Sequence, residues 1–153
     1  MEEDYKRILV VTRITKNCRA IHYGISLARK YGAELTIVHI VHNPFGLEGW
    51  NVPMMSLEKE YEEMLEAAKA EMEQIVRLEK GKGLPIKKMI REGEPAKEIL
   101  KVVKEEKIDL LITCHDAESR LEHFLFCRSN EDLIRQMPCT VMLVKNEQMR
   151  AMW

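Results

Sequence analysis

Short aliphatic, β-branched runs alternate along this chain with longer stretches of helical periodicity. Lys6–Thr12 (KRILVVT), Glu34–Val41 (ELTIVHIV), Asp109–Thr113 (DLLIT) and Thr140–Val144 (TVMLV) are nearly continuous apolar runs, the pattern of strands buried on both faces of a parallel sheet. Pro85–Arg91 (PIKKMIR) mixes in charge, which predicts a third strand nearer an edge. From Asn17 to Tyr31, Ala20, Tyr23 or Gly24, Leu27 and Ala28 recur at helical spacing, and Gly32 follows as the stop. Ser56 fits the N-cap of a long amphipathic helix reaching about Lys80, with Tyr61, Met64 or Leu65, Ala68, Met72 and Ile75 on its core stripe. Gly81 and Gly83 end it. Pro95 fits the first position of a helix running to about Lys107, with Ile99, Leu100 and Val103 inward. The last helix is expected around Asn130–Met137. Strands alternating with helices imply right-handed crossovers and a parallel sheet covered on both faces, a three-layer α/β/α sandwich.

Composition narrows this picture. The 153 residues, 46% of them hydrophobic, suffice for one full core and are too few for two ordinary ones. No repeat or low-complexity linker divides the chain, so residues 1–153 are expected to form a single domain. Lys and Arg number 24 against 25 Asp and Glu, a net charge of −1, which gives no electrostatic case for nucleic acid or an anionic membrane surface. No apolar run approaches the roughly 18–20 residues of a spanning helix, and Met1–Arg7 is too polar for a signal peptide. Cys18, Cys114, Cys127 and Cys139 lack CxxC spacing and read as reduced thiols of a cytoplasmic protein.

The candidate chemistry gathers after the fourth strand. A strand leading through a loop to a helix N-terminus is where α/β proteins hold phosphates, usually on glycines that let backbone N–H groups crowd the anion. Between Asp109 and Val144 there is no glycine. No Ser/His/Asp order, HExxH, GxxxxGK[ST] or shaped carboxylate pair occurs either, so no catalytic residue is expected.

Three segments carry a resemblance: Arg7-Ile8-Leu9-Val10, then Ala28–Thr36 (ARKYGAELT), then Gly93–Leu100 (GEPAKEIL) continuing through Ile108–Ile112 and Met137–Val141 (MPCTV). In order and spacing the chain resembles the universal stress protein (UspA-like) family from Lys6 to Val144. The resemblance implies a Rossmann-like, five-stranded parallel sheet of order 3-2-1-4-5, a ligand cleft between strands one and four, and a homodimer through Thr140–Val144. The ATP-binding branch of that family carries a glycine signature, G-x2-G-x9-G-[ST]; laid on this sequence, it places Cys114, Ala117, Cys127 and Arg128 at the four positions. The aspartate usual at the end of strand one falls on Arg13, and Asp116 stands where an arginine or histidine is common. The resemblance therefore implies a cleft of inherited shape whose phosphate contacts are lost, with no cofactor bound in the family manner. Arg13 and Asp116 are expected to pair across it. Arg128, near a helix N-terminus, offers an anion contact, and His42 at the end of strand two lies where the family's cleft passes.

Three functions follow as expectations. The first is a non-enzymatic binding and regulatory module of the stress response, acting through an unknown protein partner or small ligand. The second keeps AMP or ATP, held by Arg128, His42 and the strand-four loop. The third is a thiol and imidazole metal or redox sensor built on Cys114, His115, His123 and Cys127, although that spacing matches no familiar zinc pattern and no metal site is assigned. The apolar loop His42–Met55, with Phe45, Leu47, Trp50, Val52 and Met54, reads as a lid or plug over the cleft in preference to a dimer contact. His39, inside an apolar strand, reads as a satisfied core histidine.

Overall fold

The computed structural model describes residues 4–12, 19–41, 55–116 and 129–146. Strand β1 (Arg7–Thr12) leads to helix α1 (Arg19–Tyr31), β2 (Glu34–Val41), α2 (Met55–Gly81), β3 (Ile86–Glu92), α3 (Pro95–Glu105), β4 (Leu110–Asp116), α4 (Ser129–Gln136) and β5 (Thr140–Asn146). All four strand pairings are parallel, in the order β3-β2-β1-β4-β5. Helices cover both faces, so the doubly wound sandwich expected from the alternating pattern is the fold.

Period-two alternation sorts each strand between two cores. Ile8, Val10, Leu35, Ile37, Leu110 and Ile112 pack with Ala20, Ile21, Ile25 and Ala28 of α1 and Met72 and Val76 of α2. Their neighbours Leu9, Val11, Val38, Ile40 and Leu111 pack on the other face with Ile99, Val102 and Val103 of α3 and Leu133 of α4. Helix α1 lies close on the sheet because residue 24 is glycine; a Cβ built there would overlap Val10 Cγ2. Tyr23, the alternative for that helical position, is exposed.

Element ends show what local sequence leaves open. Gly32 adopts φ 63°, the left-handed turn expected of a helix stop. Pro95 does open α3. Ser56 is not the N-cap of α2: the helix already includes Met55. Helix α3 ends at Glu105, short of Lys107, which takes φ 52° beyond the Glu106 cap. Strand β4 runs to Asp116, three residues past its apolar run, because β5 stays in register beside it as far as Asp116 opposite Asn146.

The two edges of the sheet differ in kind. On β3, Lys87 meets Glu106 at 2.7 Å and Arg91 meets Glu105 at 2.6 Å on the α3 side, while Lys88 pairs with Glu73 of α2 on the other. Charges tied to both covering layers blunt that edge against further strand pairing. On β5, Thr140–Val144 carries no charge, and Leu143 is 43% exposed. Among the described residues, no helix is long and apolar enough to cross a membrane.

Candidate functional site

The cleft position follows from where two ladders stop. Strand β1 stays paired with β2 up to Thr12 opposite His39, yet its pairing with β4 ends at Val10 opposite Ile112. Beyond that point β1 and β4 part at their carboxyl ends, at the switch point where chain connections leave in opposite directions. Open α/β sheets bind ligands in such a crevice.

Cys114 stands at the mouth of this crevice, at the first of the expected glycine positions. It is 6% exposed, packed in the α1/α2 core and in register with Val144. His115 and Asp116 continue the strand opposite Lys145 and Asn146. The backbone that a glycine loop would turn toward a phosphate is here ladder backbone, and a sulfur fills the core side. The residues Arg13, His42, Ala117, Cys127 and Arg128 lie outside the described residues, as do His123 and most of the loop His42–Met55; so does the expected pairing of Arg13 with Asp116.

A polar pair that the sequence reading only half anticipated lies at the same sheet end. His39 is wholly buried, with Nδ1 2.8 Å from Thr12 Oγ1. The Thr12 hydroxyl also lies 3.3 Å from the Val38 carbonyl oxygen and 3.8 Å from Met72 Sδ. One hydroxyl proton serves three acceptors, so two arrangements satisfy the pair: Thr12 donates to Nδ1, or Nδ1–H donates to Thr12 while the hydroxyl turns to Val38. In either arrangement His39 Nε2 has no hydrogen-bond partner among the described residues. Burial, reinforced by the charge of Lys69, lowers the imidazole pKa to about 4, so the ring is neutral at pH 7. The histidine is thus a core residue satisfied on one side only. Thr12 was missed from sequence because a threonine ending a β-branched strand is unremarkable; its only signal was its place opposite His39.

Among the described residues, the Cys139 thiol offers little reactive chemistry. Cys139 packs against the α3/α4 core, on the opposite side of the sheet from Cys114. Burial, with the Asp109 carboxylate second, raises its pKa and keeps the thiol protonated. Among the described residues, no group of three His, Cys, Asp or Glu side chains is placed to hold a metal.

Fold and crevice together define a doubly wound, Rossmann-like α/β protein. The profile of the universal stress protein family matches residues 4–145, and the chain belongs to that family. It is 28% identical over 152 residues to a universal stress protein of Methanothermobacter thermautotrophicus, covering 95% of this chain and 99% of that protein. Among solved structures it superposes on universal stress protein UspA from Lactobacillus plantarum with a TM-score of 0.62 at 19% identity, covering 94% of this chain and 99% of that one. A universal stress protein from Archaeoglobus fulgidus in complex with dAMP superposes with a TM-score of 0.59 at 16% identity, over 94% of this chain and 100% of that one. At such identities the structures share the fold alone.

Proposed function

We propose that this chain is a non-enzymatic binding and regulatory module of the stress response whose cleft does not hold ATP in the manner of the family's glycine-loop members. One observation carries the reading: Cys114, at the first glycine position, is a buried residue of β4, and the strand remains laddered to β5 through Asp116. A phosphate there would have to displace core packing and strand pairing together. Four cysteines without CxxC spacing support the cytoplasm as its compartment.

The contrast between the two sheet edges supports a homodimer formed through Thr140–Val144, where an uncharged segment of the edge strand would offer its outer backbone groups to a second copy.

A second reading keeps AMP or ATP, supported by the dAMP bound to the Archaeoglobus relative and by the separation of β1 from β4 beyond Val10. Thermal unfolding with ATP, ADP and AMP, with and without magnesium, tests both. A ligand at about 100 times its dissociation constant adds roughly 2.7 kcal/mol, a readily measured rise in Tm. No shift at millimolar nucleotide is expected; a saturable shift overturns the first reading in favour of the second.

A further inference from the structure

The amino end of the sheet carries an opening that the carboxyl-end crevice does not account for. Helix α2 stops at Gly81, and Gly83, at φ 91°, turns the chain back toward the sheet. Pro85 then has no N–H to give to a ladder, so the pairing of β2 with β3 starts only at Leu35 opposite Ile86. Between this late start and the ends of α2 and α3 lies a cavity of about 640 Å³, a size common among small-molecule sites.

Its lining is apolar on one side and polar on the other. Leu35, Leu84 and Ile86 belong to the α1/α2 core and form an apolar wall. Thr36 and Lys87 are register partners on the opposite face, the one that α3 covers, and the cavity reaches both. Thr36 is only 6% exposed. Among the described residues no hydrogen bond holds its hydroxyl, although a buried hydroxyl ordinarily has a partner. Nor is the oxygen sealed in the core, because among those residues His39 Nε2 is the one closed-off side-chain polar atom without a partner. The Thr36 hydroxyl therefore opens on the cavity with its hydrogen-bonding capacity unused.

Charge selects the ligand. Lys87 Nζ meets Glu106 Oε1 at 2.7 Å and Glu34 meets Arg7 at 3.6 Å, so both carboxylates that line the cavity already face a cation. At the end of α2, Lys82 pairs with Glu79, while Lys80, which lines the cavity, has no ion-pair partner among the described residues. An amine entering here finds its counter-charges engaged. An anion finds an unpaired ammonium and a hydroxyl able to donate. The apolar wall asks that the rest of the ligand be hydrocarbon, since a bare inorganic anion gains nothing from Leu84 and Ile86.

We propose that this cavity binds a small carboxylic acid with an apolar body. The carboxylate accepts from the Thr36 hydroxyl and is balanced by Lys80, and the body lies against Leu35, Leu84 and Ile86. The site is at the opposite end of the sheet from the crevice between β1 and β4, so it stands or falls apart from either reading of that crevice.

Titration of the isotope-labelled chain with phenylbutyrate, followed by amide chemical shifts, tests it. Saturable shifts are expected, centred on Thr36, Leu84, Ile86 and Lys87, with little response to phenylbutylamine or phenylbutanol at equal concentration. T36V keeps the branched shape without the hydroxyl and is expected to raise the dissociation constant for phenylbutyrate about tenfold, as loss of one hydrogen bond to a charged group implies. K80Q is expected to raise it by a smaller factor, and its side chain is exposed, so that effect does not depend on folding. The proposal is overturned by an absence of saturable shifts at millimolar phenylbutyrate, by shifts centred instead on the ends of β1 and β4, or by equal binding of the amine. Unchanged affinity in both T36V and K80Q would overturn it as well.

Discussion

Nδ1 of His39 lies 2.8 Å from the hydroxyl of Thr12, and the pair is sealed between the end of the sheet and helix α2, where Met72 closes over the hydroxyl. Burial of the ring, with the charge of Lys69 nearby, requires that it be neutral. Its folded pKa of about 4 lies below the ordinary value of 6.5, so the stability it underwrites is fully present above pH 6.5 and is lost as pH falls toward 4. The loss amounts to roughly 3 kcal/mol once both states are protonated. Urea unfolding at pH 7 and pH 4.5 is expected to show a drop in wild type that is smaller by about 2–3 kcal/mol in H39Q, whose amide does not titrate. Equal drops in the two proteins would mean that His39 is not the titrating group.

Replacing Gly24 with alanine drives a methyl group into Val10 Cγ2. Neither the helix backbone nor a fully buried strand residue yields easily, and overpacking of this kind costs about 1–3 kcal/mol. The double variant G24A/V10A should recover part of the loss in chemical denaturation. Full additivity of the two single losses would contradict the overlap.

Asp109 fastens the first strand at the opposite end of the sheet. Its carboxylate accepts the N–H of Lys6 at 2.8 Å and of Arg7 at 3.2 Å, while its own N–H donates to the Arg7 carbonyl oxygen at 3.0 Å. D109A leaves two donors without their charged acceptor and is expected to cost about 1.5–3 kcal/mol, the range for hydrogen bonds to an ionised group. The same carboxylate helps to hold the Cys139 thiol protonated. In D109N the alkylation of Cys139 by iodoacetamide should therefore move to lower pH; an unchanged profile would leave burial as the whole cause.

The ion pairs on β3 are exposed, and each is worth at most about 1 kcal/mol. Changing Lys87, Lys88 and Arg91 together to glutamine is expected to lower the denaturation midpoint modestly. Its larger effect should be on solubility, since the edge loses the charges that discourage strand addition. Light scattering at rising concentration would show it, and a variant as soluble as wild type would assign the blocking to the helices instead.

The fold was legible in the sequence because parallel strands buried on both faces leave uninterrupted apolar runs, and because Gly32, Gly83 and Pro95 punctuate the chain where backbone geometry demands it. The strand order came only with the resemblance to the family, since apolar runs do not say which neighbours pair. The length of β4 was hidden for a related reason: Cys114, His115 and Asp116 are not strand-like locally and are held extended by β5, thirty residues on. At the site, the sequence puts Cys114 at a glycine position, and its burial within β4 appears only once the pairing with β5 is known. His39 looked satisfied in sequence because an apolar strand says nothing about the second ring nitrogen. Thr12 escaped notice because a hydroxyl acquires meaning only from what lies opposite it.

The unlike edges of the sheet also bear on how far assembly can go. A sheet open on both sides invites indefinite lateral growth, each added chain presenting a fresh strand to the next. With β3 cross-tied by Glu73, Glu105 and Glu106, the proposed pairing uses the β5 side alone, and the partner's own β5 would be consumed in the act. Such pairing would close on itself, so that a chain rich in buried parallel strands would associate without a route to a fibre.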